Sequence, residues 1–324
     1  MEWIKAKAKL IEEGGVRLSG DPPETTGSYS KAGPGAGLPP PLFFSPDEKK
    51  ERRVRLPIKD DSKYILHIES GKVRIEIDGA QICGKLEPAP LHCPGQAFIA
   101  VTESCIYNCC FCGIARKTGL RKSSRMIQSL VEENLDTINA ISLTSGVLSN
   151  TIEEEEYVIS IVDMVKKFDL PVGVSILPND RTSERLLEHG VDEVKFNLET
   201  ATGKLFEEVC PGLEREIIFS ELERSVELFG KNKVYSNVII GLGERDEDLK
   251  NITEKLAFSG VIPVLRPLTP AGKLTCYKSP SAERLIGLAE MQKDILEKAG
   301  LDGSQARTMC AACTACDIAP WRDI

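Results

Sequence analysis

The chain has 324 residues, of which 41% are hydrophobic and 28% charged, and its formal net charge is −8. These proportions are typical of a globular protein and exclude a disordered chain, and the acidic balance argues against a general nucleic-acid binder. The longest apolar runs are strand-sized, well short of the roughly 18 residues that a membrane span needs. The first 15 residues lack the apolar core of a secretory signal, so we expect a cytoplasmic protein.

Three features precede residue 95. Residues 1–15 predict a helix that ends at a pair of glycines. Residues 19–46 are rich in Gly, Pro and Ser, which is typical of a linker or of a loop that closes over a ligand. Residues 64–70 and 73–78 alternate apolar and polar positions around a Ser-Gly pair, which predicts a β-hairpin.

From residue 97 onwards, six strand segments alternate with helical segments. This alternation predicts a parallel sheet with right-handed crossovers. Six strands favour an α/β fold with a complete or partial parallel (β/α) barrel over an open doubly wound sheet. The predicted strands are 97–102, 141–146, 171–177, 191–199, 234–244 and 261–268, and the predicted helices are 129–140, 152–168, 182–190, 220–230, 246–260 and 281–300.

These elements divide the chain into three parts. Residues 1–95 form an N-terminal extension of helix, Gly/Pro-rich loop and β-hairpin. Residues 96–270 form the barrel core, and residues 271–324 form a last helix and a cysteine-rich tail. Because working residues of such barrels lie at the C-terminal ends of the strands, we look for the site there.

A first group of cysteines follows the first barrel strand. Cys105, Cys109 and Cys112 have the spacing Cys-x3-Cys-x2-Cys, which suits three irons of a cubic iron–sulfur cluster and leaves the fourth iron open. An open position is typical of a catalytic metal. Structural zinc is the alternative, although no Cys or His follows at finger-like spacing. Eleven cysteines against three histidines also favour thiolate-bound zinc or iron–sulfur.

With the aromatic Phe111 before its last cysteine, this motif resembles the signature of radical S-adenosylmethionine (SAM) enzymes, and the resemblance makes Phe111 a cofactor-binding candidate. The resemblance covers roughly residues 95–270. It implies that Cys105, Cys109 and Cys112 hold a catalytic 4Fe-4S cluster whose open iron binds SAM. It also implies that one electron cleaves SAM, giving a 5′-deoxyadenosyl radical that abstracts a substrate hydrogen.

The resemblance places SAM contacts at the ends of further strands. Thr144-Ser145-Gly146 stands where the family often has Gly-Gly-Glu, so the oxygens of Thr144 and Ser145 are the candidates to replace the missing carboxylate. Asn197 and Glu199 alternate, so both are expected to face the barrel mouth, where they suit a ribose diol or the cofactor's amine. Helix capping is the alternative role for Asn197.

Glycines and arginines complete the set of cofactor-binding candidates. In Gly241-Leu242-Gly243-Glu244, Gly241 and Gly243 would let an adenine approach the backbone closely. Arg266, at the end of the last strand, is a candidate to pair with a carboxylate. Arg224, on the predicted helix 220–230, is another, with an ordinary surface charge as its alternative.

Several segments resemble the biotin synthase and lipoyl synthase branch of the family. In lipoyl synthases, an Asn-Leu-Glu-Thr similar to residues 197–200 precedes a Val-Arg-Pro-Gly, and here Cys210 replaces that arginine. Both enzymes insert sulfur at unactivated carbons. This branch therefore implies a second iron–sulfur cluster that gives up its sulfide.

The C-terminal cysteines are the candidates for that second 4Fe-4S cluster. Cys310, Cys313 and Cys316 have the spacing Cys-x2-Cys-x2-Cys, which is typical of iron–sulfur sites, with structural zinc as the alternative. Classical lipoyl synthase instead has three auxiliary cysteines before the barrel and a serine near the C-terminus. Here either Cys83 or Cys93 would supply a fourth thiolate if the N-terminal hairpin packs over the barrel mouth.

This layout resembles one component of the two-protein lipoyl synthase of archaea and some bacteria. The resemblance implies sulfur insertion into an octanoyl chain on a lipoyl-carrier protein, either H protein or an acyltransferase lipoyl domain. It implies a companion radical SAM protein, an electron donor such as ferredoxin, and no nucleic acid or membrane partner. The C-terminal tail and the Gly-rich segment from Ser30 to Gly37 would close the site.

Two alternatives remain open at the level of the sequence. One is a radical SAM enzyme of cofactor assembly or peptide maturation whose second cluster anchors substrate or relays electrons. The other is an iron–sulfur scaffold or electron-transfer protein, against which the cofactor motifs on three strands argue.

Overall fold

The computed structural model describes residues 1–21, 42–47, 51–89, 91–114, 119–270 and 272–324. The Gly-rich segment from Ser30 to Gly37, predicted to close the site, lies outside the described residues. The described strands form two sheets, one of six and one of seven strands, each with its own apolar core. No helix among these residues is long and apolar enough to cross a membrane.

The N-terminal unit is a six-stranded sheet packed against helix α1. Helix α1 spans Trp3–Glu13 and ends at Gly14, whose φ of 79° is left-handed, so the predicted helix is confirmed. The strands are β1 (Arg17–Ser19), β2 (Leu42–Pro46), β3 (Val54–Leu56), β4 (Ile65–Glu69), β5 (Lys72–Ile77) and β6 (Ala80–Leu86). They are ordered β1-β4-β5-β6-β2-β3, and the antiparallel pair β4–β5 is the predicted hairpin.

The second sheet is a partial β/α barrel. Its strands are β7 (His92–Cys93), β8 (Gln96–Ala100), β9 (Ala140–Thr144), β10 (Val172–Ser175), β11 (Glu193–Lys195), β12 (Val234–Ile240) and β13 (Ile262–Pro267). They run in the order β13-β12-β11-β10-β9-β8-β7, and β8 to β13 are parallel. The six predicted strands and their parallel arrangement are therefore confirmed. The short β7 was not predicted, and it pairs antiparallel with β8.

Helices connect the parallel strands and form the outer layer. The connecting helices are α2 (Ser124–Glu132), α3 (Thr151–Val165), α4 (Thr182–Glu188), α5 (Gly203–Val209), α6 (Arg215–Phe229) and α7 (Asp246–Phe258). Three further helices follow the last strand, namely α8 (Ala282–Ala299), α9 (Met309–Cys313) and α10 (Pro320–Asp323). The predicted bounds of the first connecting helix, 129–140, were wrong. The hydroxyl of Ser123 accepts the Met126 N–H, so α2 is capped and begins earlier. Helix α5, which the sequence reading missed, begins at a similar cap on Thr202.

The barrel strands separate an apolar outer face from a polar interior. Val174, Phe196 and Leu198 are fully buried in the core beneath the helices. The alternate positions carry buried polar side chains, among them Glu193 and Lys195. A polar interior of this kind has to be filled by groups that satisfy its hydrogen bonds.

The C-terminal tail (residues 303–324) fills that interior. Met309 donates its N–H to Ser142 Oγ at 2.8 Å and accepts a hydrogen bond from Gln96 Nε2 at 3.1 Å. The Glu193 carboxylate accepts the N–H of Thr308 at 2.8 Å and also the Thr308 hydroxyl. Because Gln96 and Glu193 are the first residues of β8 and β11, the tail is anchored towards the N-terminal end of the barrel.

A glycine on β10 makes room for the tail. A Cβ on Gly173 would overlap the side chain of Thr308, which is fully buried. We expect Gly173→Ala to lower the free energy of unfolding by about 1–3 kcal/mol, the usual cost of overpacking a core. Urea unfolding measures this change. Gly203→Ala is the matched control, since a Cβ there has no neighbour within 4 Å, and equal stabilities of the two variants would contradict the tight fit.

A buried ion pair ties the tail to the N-terminal helix. Lys7 is fully buried, and its Nζ donates to Asp323 Oδ2 and to Thr314 O, both at 2.7 Å. Trp3 Nε1 donates to the other Asp323 oxygen at 2.8 Å, and the Ala319 N–H donates to Asp323 Oδ2 at 2.9 Å. The contact with Thr314 fixes the loop between Cys313 and Cys316.

Candidate functional site: two cysteine centres in one barrel

The first cysteine trio, Cys105, Cys109 and Cys112, lies on the loop that follows β8. All three residues are partly buried. Cys105 Sγ accepts the Val147 N–H at 3.5 Å, and the Cys112 N–H donates to Cys109 O at 3.2 Å. These contacts hold the loop against the segment after β9, so the trio lies at the C-terminal ends of the strands, which we call the barrel mouth.

A fourth thiol supports the trio. Cys210, just after α5, is buried and donates a hydrogen bond to Cys109. This bond lowers the pKa of Cys109, which favours its thiolate. The same bond, together with burial, raises the pKa of Cys210. Cys210 therefore contacts a candidate ligand, a role that a lone cysteine in the sequence did not reveal.

The two residues between Cys109 and Cys112 face protein rather than the trio. The Cys110 N–H donates to Val209 O at 2.8 Å, and its Sγ lies 3.8 Å from Glu208 O. Phe111 packs against the main apolar core. These contacts anchor the loop on α5, while the cofactor contact predicted for Phe111 stays a prediction.

A buried glutamate organises the loop after β9. Glu154, on α3, accepts the hydroxyls of Thr102 at 2.7 Å and of Ser145 at 2.6 Å on one carboxylate oxygen. The other oxygen accepts Arg121 Nη2 at 2.6 Å and the Leu148 N–H at 3.3 Å. The structure therefore gives the Ser145 hydroxyl a loop-holding contact.

Thr144, at the end of β9, lies beside this network. Its carbonyl accepts the Val101 N–H at 2.7 Å, which extends the pairing of β8 and β9. The predicted contacts of Thr144 and Ser145 with a cofactor stay predictions. Glu154 lies in the region of the missing family carboxylate, but its four hydrogen bonds hold the loop.

Asn197 and Glu199 lie together beyond β11. The Asn197 carboxamide accepts the Asn237 N–H at 3.2 Å and also hydrogen-bonds Glu199. Burial raises the pKa of Glu199 to about 7, against the opposing effects of Lys195, Asn197 and Arg266. Glu199 has a φ of 61°, which is rare for a residue with a side chain and is typical of strained functional sites.

The turn after β12 is closed by its own glutamate. The N–H groups of Gly241 and Leu242 donate to the Glu244 carboxylate at 2.7 and 2.8 Å, and Arg284 Nη2 pairs with it at 2.9 Å. Gly241 and Gly243 have φ values of 107° and 106°. No atom lies within 4 Å of where a Cβ on Gly243 would stand, so a ligand can approach the backbone there.

The two arginine candidates lie in different places. Arg224 lies on the outer surface of α6, where Nε donates to Glu184 and Nη1 to Glu227, each at 2.7 Å. Arg224 therefore has two carboxylate partners at the surface, and its predicted cofactor contact stays a prediction. Arg266, on β13, points into the barrel, where Nη1 pairs with Asp317 of the tail at 3.0 Å.

Four cysteines from two parts of the chain meet inside the barrel. Cys93, Cys310, Cys313 and Cys316 line one cavity together with Arg266, and we call these cysteines the second centre. Cys93 donates a hydrogen bond to Cys313, which lowers the pKa of Cys313 to about 7. Cys83 is exposed on β6, opposite Arg74. Of the two candidates for a fourth thiolate, only Cys93 therefore lies at the cavity.

The route by which Cys93 reaches the tail differs from the expected one. The prediction required the N-terminal hairpin to pack over the barrel mouth. Instead, β4 and β5 lie within the six-stranded sheet, while β7 places Cys93 beside the start of β8. The tail likewise fills the barrel interior, where it was expected to close the site.

Positive charge surrounds the second centre. Lys195 Nζ donates to Cys310 Sγ at 3.3 Å. Burial raises the pKa of Cys316, while Arg266 and Arg55 act to lower it. Burial and the same cations lower the pKa of His92 to about 4, so this imidazole is neutral at pH 7. Cations beside thiolates suit an anionic cluster.

The donor sets of both centres fit iron–sulfur clusters. Three thiols on one short loop leave one iron of a 4Fe-4S cluster open, whereas four thiols supply every iron of a second cluster. Within the described ranges, no three His, Cys, Asp or Glu side chains are grouped tightly enough for a single metal ion. Lys195 Nζ at Cys310 and Arg266 at Asp317 place positive charge at the second centre.

The sequence comparisons concern the barrel and the first cysteine trio. The profile of the radical SAM superfamily matches residues 99–256. The lipoyl synthase of Haemophilus influenzae (strain PittGG) is 24% identical over 229 residues, which are 66% of this chain and 69% of that enzyme. All four cysteines of the second centre lie outside the matched residues, Cys93 before them and the other three after them.

Solved structures share the barrel. The FeFe-hydrogenase maturase HydG from Carboxydothermus hydrogenoformans matches with a TM-score of 0.51 and 18% identity, over 63% of this chain and 52% of that one. Streptococcus suis SuiB, solved with bound SAM, matches with a TM-score of 0.53 and 15% identity, over 63% and 48%. The chain thus spans about half the length of these structures, and the likeness is one of fold.

Proposed function

We propose that the protein inserts sulfur into an octanoyl chain on a lipoyl-carrier protein. The match of residues 99–256 to the radical SAM superfamily profile supports the radical chemistry of this reaction. The observation that supports this proposal most strongly is the second centre, where Cys93 and three tail cysteines meet inside the same barrel as the first trio. Two cysteine centres in one barrel are what sulfur insertion needs, one to start the radical reaction and one to donate sulfide. The lipoyl synthase similarity supports the same reaction.

The barrel residues at the first trio have a different proposed role from those at the second centre. When bound, a 4Fe-4S cluster and SAM supply the radical that removes a substrate hydrogen. Cys105, Cys109 and Cys112 would hold that cluster, and the hydrogen bond from Cys210 lowers the pKa of Cys109. Asn197 and Glu199 would bind polar groups of SAM at the mouth.

The second centre would hold the sulfide donor. Cys93, Cys310, Cys313 and Cys316 are its proposed ligands, and Lys195 and Arg266 balance its negative charge. The buried tail excludes water from this region, which protects a carbon radical from side reactions. The proposed partners are the octanoylated carrier, a companion radical SAM protein and an electron donor such as ferredoxin.

A second candidate function is favoured by the number of thiols. Four thiolates would leave no iron of the second cluster free, so this centre does not suit direct anchoring of a substrate. It suits electron relay in a radical SAM enzyme of cofactor assembly or peptide maturation. Sulfur insertion would consume a bridging sulfide of the cluster, whereas electron relay would leave the cluster whole.

The reaction product distinguishes sulfur insertion from electron relay. The reconstituted enzyme is incubated anaerobically with SAM, dithionite and an octanoyl-lysyl peptide, and the peptide is analysed by mass spectrometry. We expect one added sulfur per peptide and none with Cys310→Ala. SAM cleavage without any thiolated peptide, at full iron content, would contradict sulfur insertion and favour the relay.

A further inference from the structure

Two polar side chains at the second centre have no role in the proposed function. His92 and Thr314 line its cavity together with the four cysteines, and each is the immediate neighbour in sequence of a proposed ligand. Phe43, Phe98 and Ala315 supply the apolar part of the wall. Among the described residues, no carboxylate side chain lines this cavity, so the side-chain acceptors offered to a donor there are chiefly sulfur.

The Thr314 hydroxyl is a buried donor without a partner. Thr314 is 1% exposed, and its Oγ1 makes no hydrogen bond with any described residue. Its backbone groups, by contrast, are both satisfied, since its N–H donates to Cys310 O at 2.8 Å and its carbonyl accepts Lys7 Nζ at 2.7 Å. A buried hydroxyl that is left open in an otherwise bonded turn indicates that its partner belongs to the bound centre.

The His92 imidazole is open in the same way. It packs against the Phe98 ring at a centroid distance of 4.9 Å, and neither ring nitrogen hydrogen-bonds a described residue. Consecutive residues of a strand usually point to opposite faces, yet His92 and Cys93 of β7 both line the cavity. An imidazole carries at least one N–H in either charge state, so His92 always has a donor to offer.

The backbone holds both residues in an uncommon conformation. His92 has a φ of 81° and Thr314 a φ of 54°, both in the left-handed region. Such values are rare for residues with side chains, above all for a β-branched threonine, and strain of this kind is typical of functional sites. Two donors held in strained backbone beside Cys93 and Cys313 indicate that their position serves the centre.

We propose that His92 and Thr314 donate hydrogen bonds to sulfurs of a cluster held by the second centre, and that these bonds raise its reduction potential. A donor stabilises the reduced cluster more than the oxidised one, because the reduced cluster carries one more negative charge. In this role the cysteines hold the irons and the two donors act on the sulfurs. The inference rests on the second centre proposed above, and it holds for sulfur insertion and for electron relay alike.

Redox titration of the second centre by itself tests the effect. Cys109→Ala in the full chain is the background, because two thiols of the first trio cannot hold a cubic cluster. Electron paramagnetic resonance follows the reduced cluster as the potential is lowered anaerobically. We expect His92→Phe and Thr314→Val each to lower the midpoint potential by about 59 mV, a tenfold change in a one-electron equilibrium, at an unchanged content of about four irons.

Conservative variants distinguish a hydrogen bond from packing. Thr314→Ser keeps the hydroxyl and should keep the potential of the background protein. His67→Phe is the control for the histidine and should not shift the potential, since His67 lies on β4 and contacts Glu76 at 3.3 Å. An unchanged potential in both His92→Phe and Thr314→Val, or equal shifts in Thr314→Val and Thr314→Ser, would overturn the inference.

The iron content shows which proposal fails. Loss of nearly all iron in the Cys109→Ala background would overturn the second centre, and this inference with it. About four irons with unchanged potentials in the variants would overturn the inference alone, whatever product the peptide assay gives. Thr314→Val keeps the shape of the side chain, so it keeps the test open if His92→Phe does not load iron.

Discussion

Replacing Cys109 with alanine is expected to reduce SAM cleavage to background and to remove about four of about eight irons per chain. Cys109 is the member of the first trio that accepts the Cys210 thiol, and its pKa is lowered by that bond. Without it, two thiols of the trio remain, Cys105 and Cys112, too few to hold a cubic cluster. Anaerobic iron analysis and chromatography of 5′-deoxyadenosine measure the two effects.

Cys110→Ala is the matched control for this prediction. Cys110 is adjacent in sequence, but its contacts are with Val209 and Glu208 on α5. We expect it to keep its iron and to cleave SAM. Full cleavage by Cys109→Ala, or its loss in Cys110→Ala alone, would contradict the assignment of the trio.

Removing the amine of Lys7 is expected to give the largest loss of stability in the N-terminal unit. Lys7→Ala leaves Asp323 buried with half of its ion pair missing, and it removes the hydrogen bond to Thr314 O. Breaking a buried pair from one side costs about 3–5 kcal/mol. Urea unfolding of the reconstituted protein gives the change in unfolding free energy.

A neighbour on the same helix provides the comparison. The Lys5 side chain is 60% exposed and pairs only with Glu2 at the surface, so Lys5→Ala should change stability by less than about 0.5 kcal/mol. Similar losses of unfolding free energy in Lys7→Ala and Lys5→Ala would contradict the predicted stabilising effect of the buried ion pair. Because Thr314 lies between Cys313 and Cys316, we also expect Lys7→Ala to lower the iron content of the second centre.

The sequence predicted those parts of the molecule in which local pattern and function coincide. Six buried strand segments between helices were enough for a parallel barrel, and its strands were found. The spacing of Cys105, Cys109 and Cys112 marked a loop at the barrel mouth, because ligands of one cluster there are close in sequence. The hairpin was found because its turn residues stand between two alternating segments.

What the sequence did not reveal depends on contacts between distant segments. Glu154 belongs to a run of four glutamates that reads as a solvated helix face, and only folding buries it under the loop of Ser145. Lys195 alternates with Glu193 and Asn197, but its partner Cys310 is more than a hundred residues away. The choice between Cys83 and Cys93 required β7, a strand of two residues that no pattern marks.

The central claim is that Cys93 completes a second iron–sulfur centre with Cys310, Cys313 and Cys316. The most direct measurement is anaerobic iron and sulfide analysis of wild type, Cys93→Ala and Cys83→Ala, each assayed for SAM cleavage. We expect about eight irons in wild type and in Cys83→Ala, and about four in Cys93→Ala with SAM cleavage retained. About eight irons in Cys93→Ala, or a loss of iron in Cys83→Ala alone, would contradict the claim.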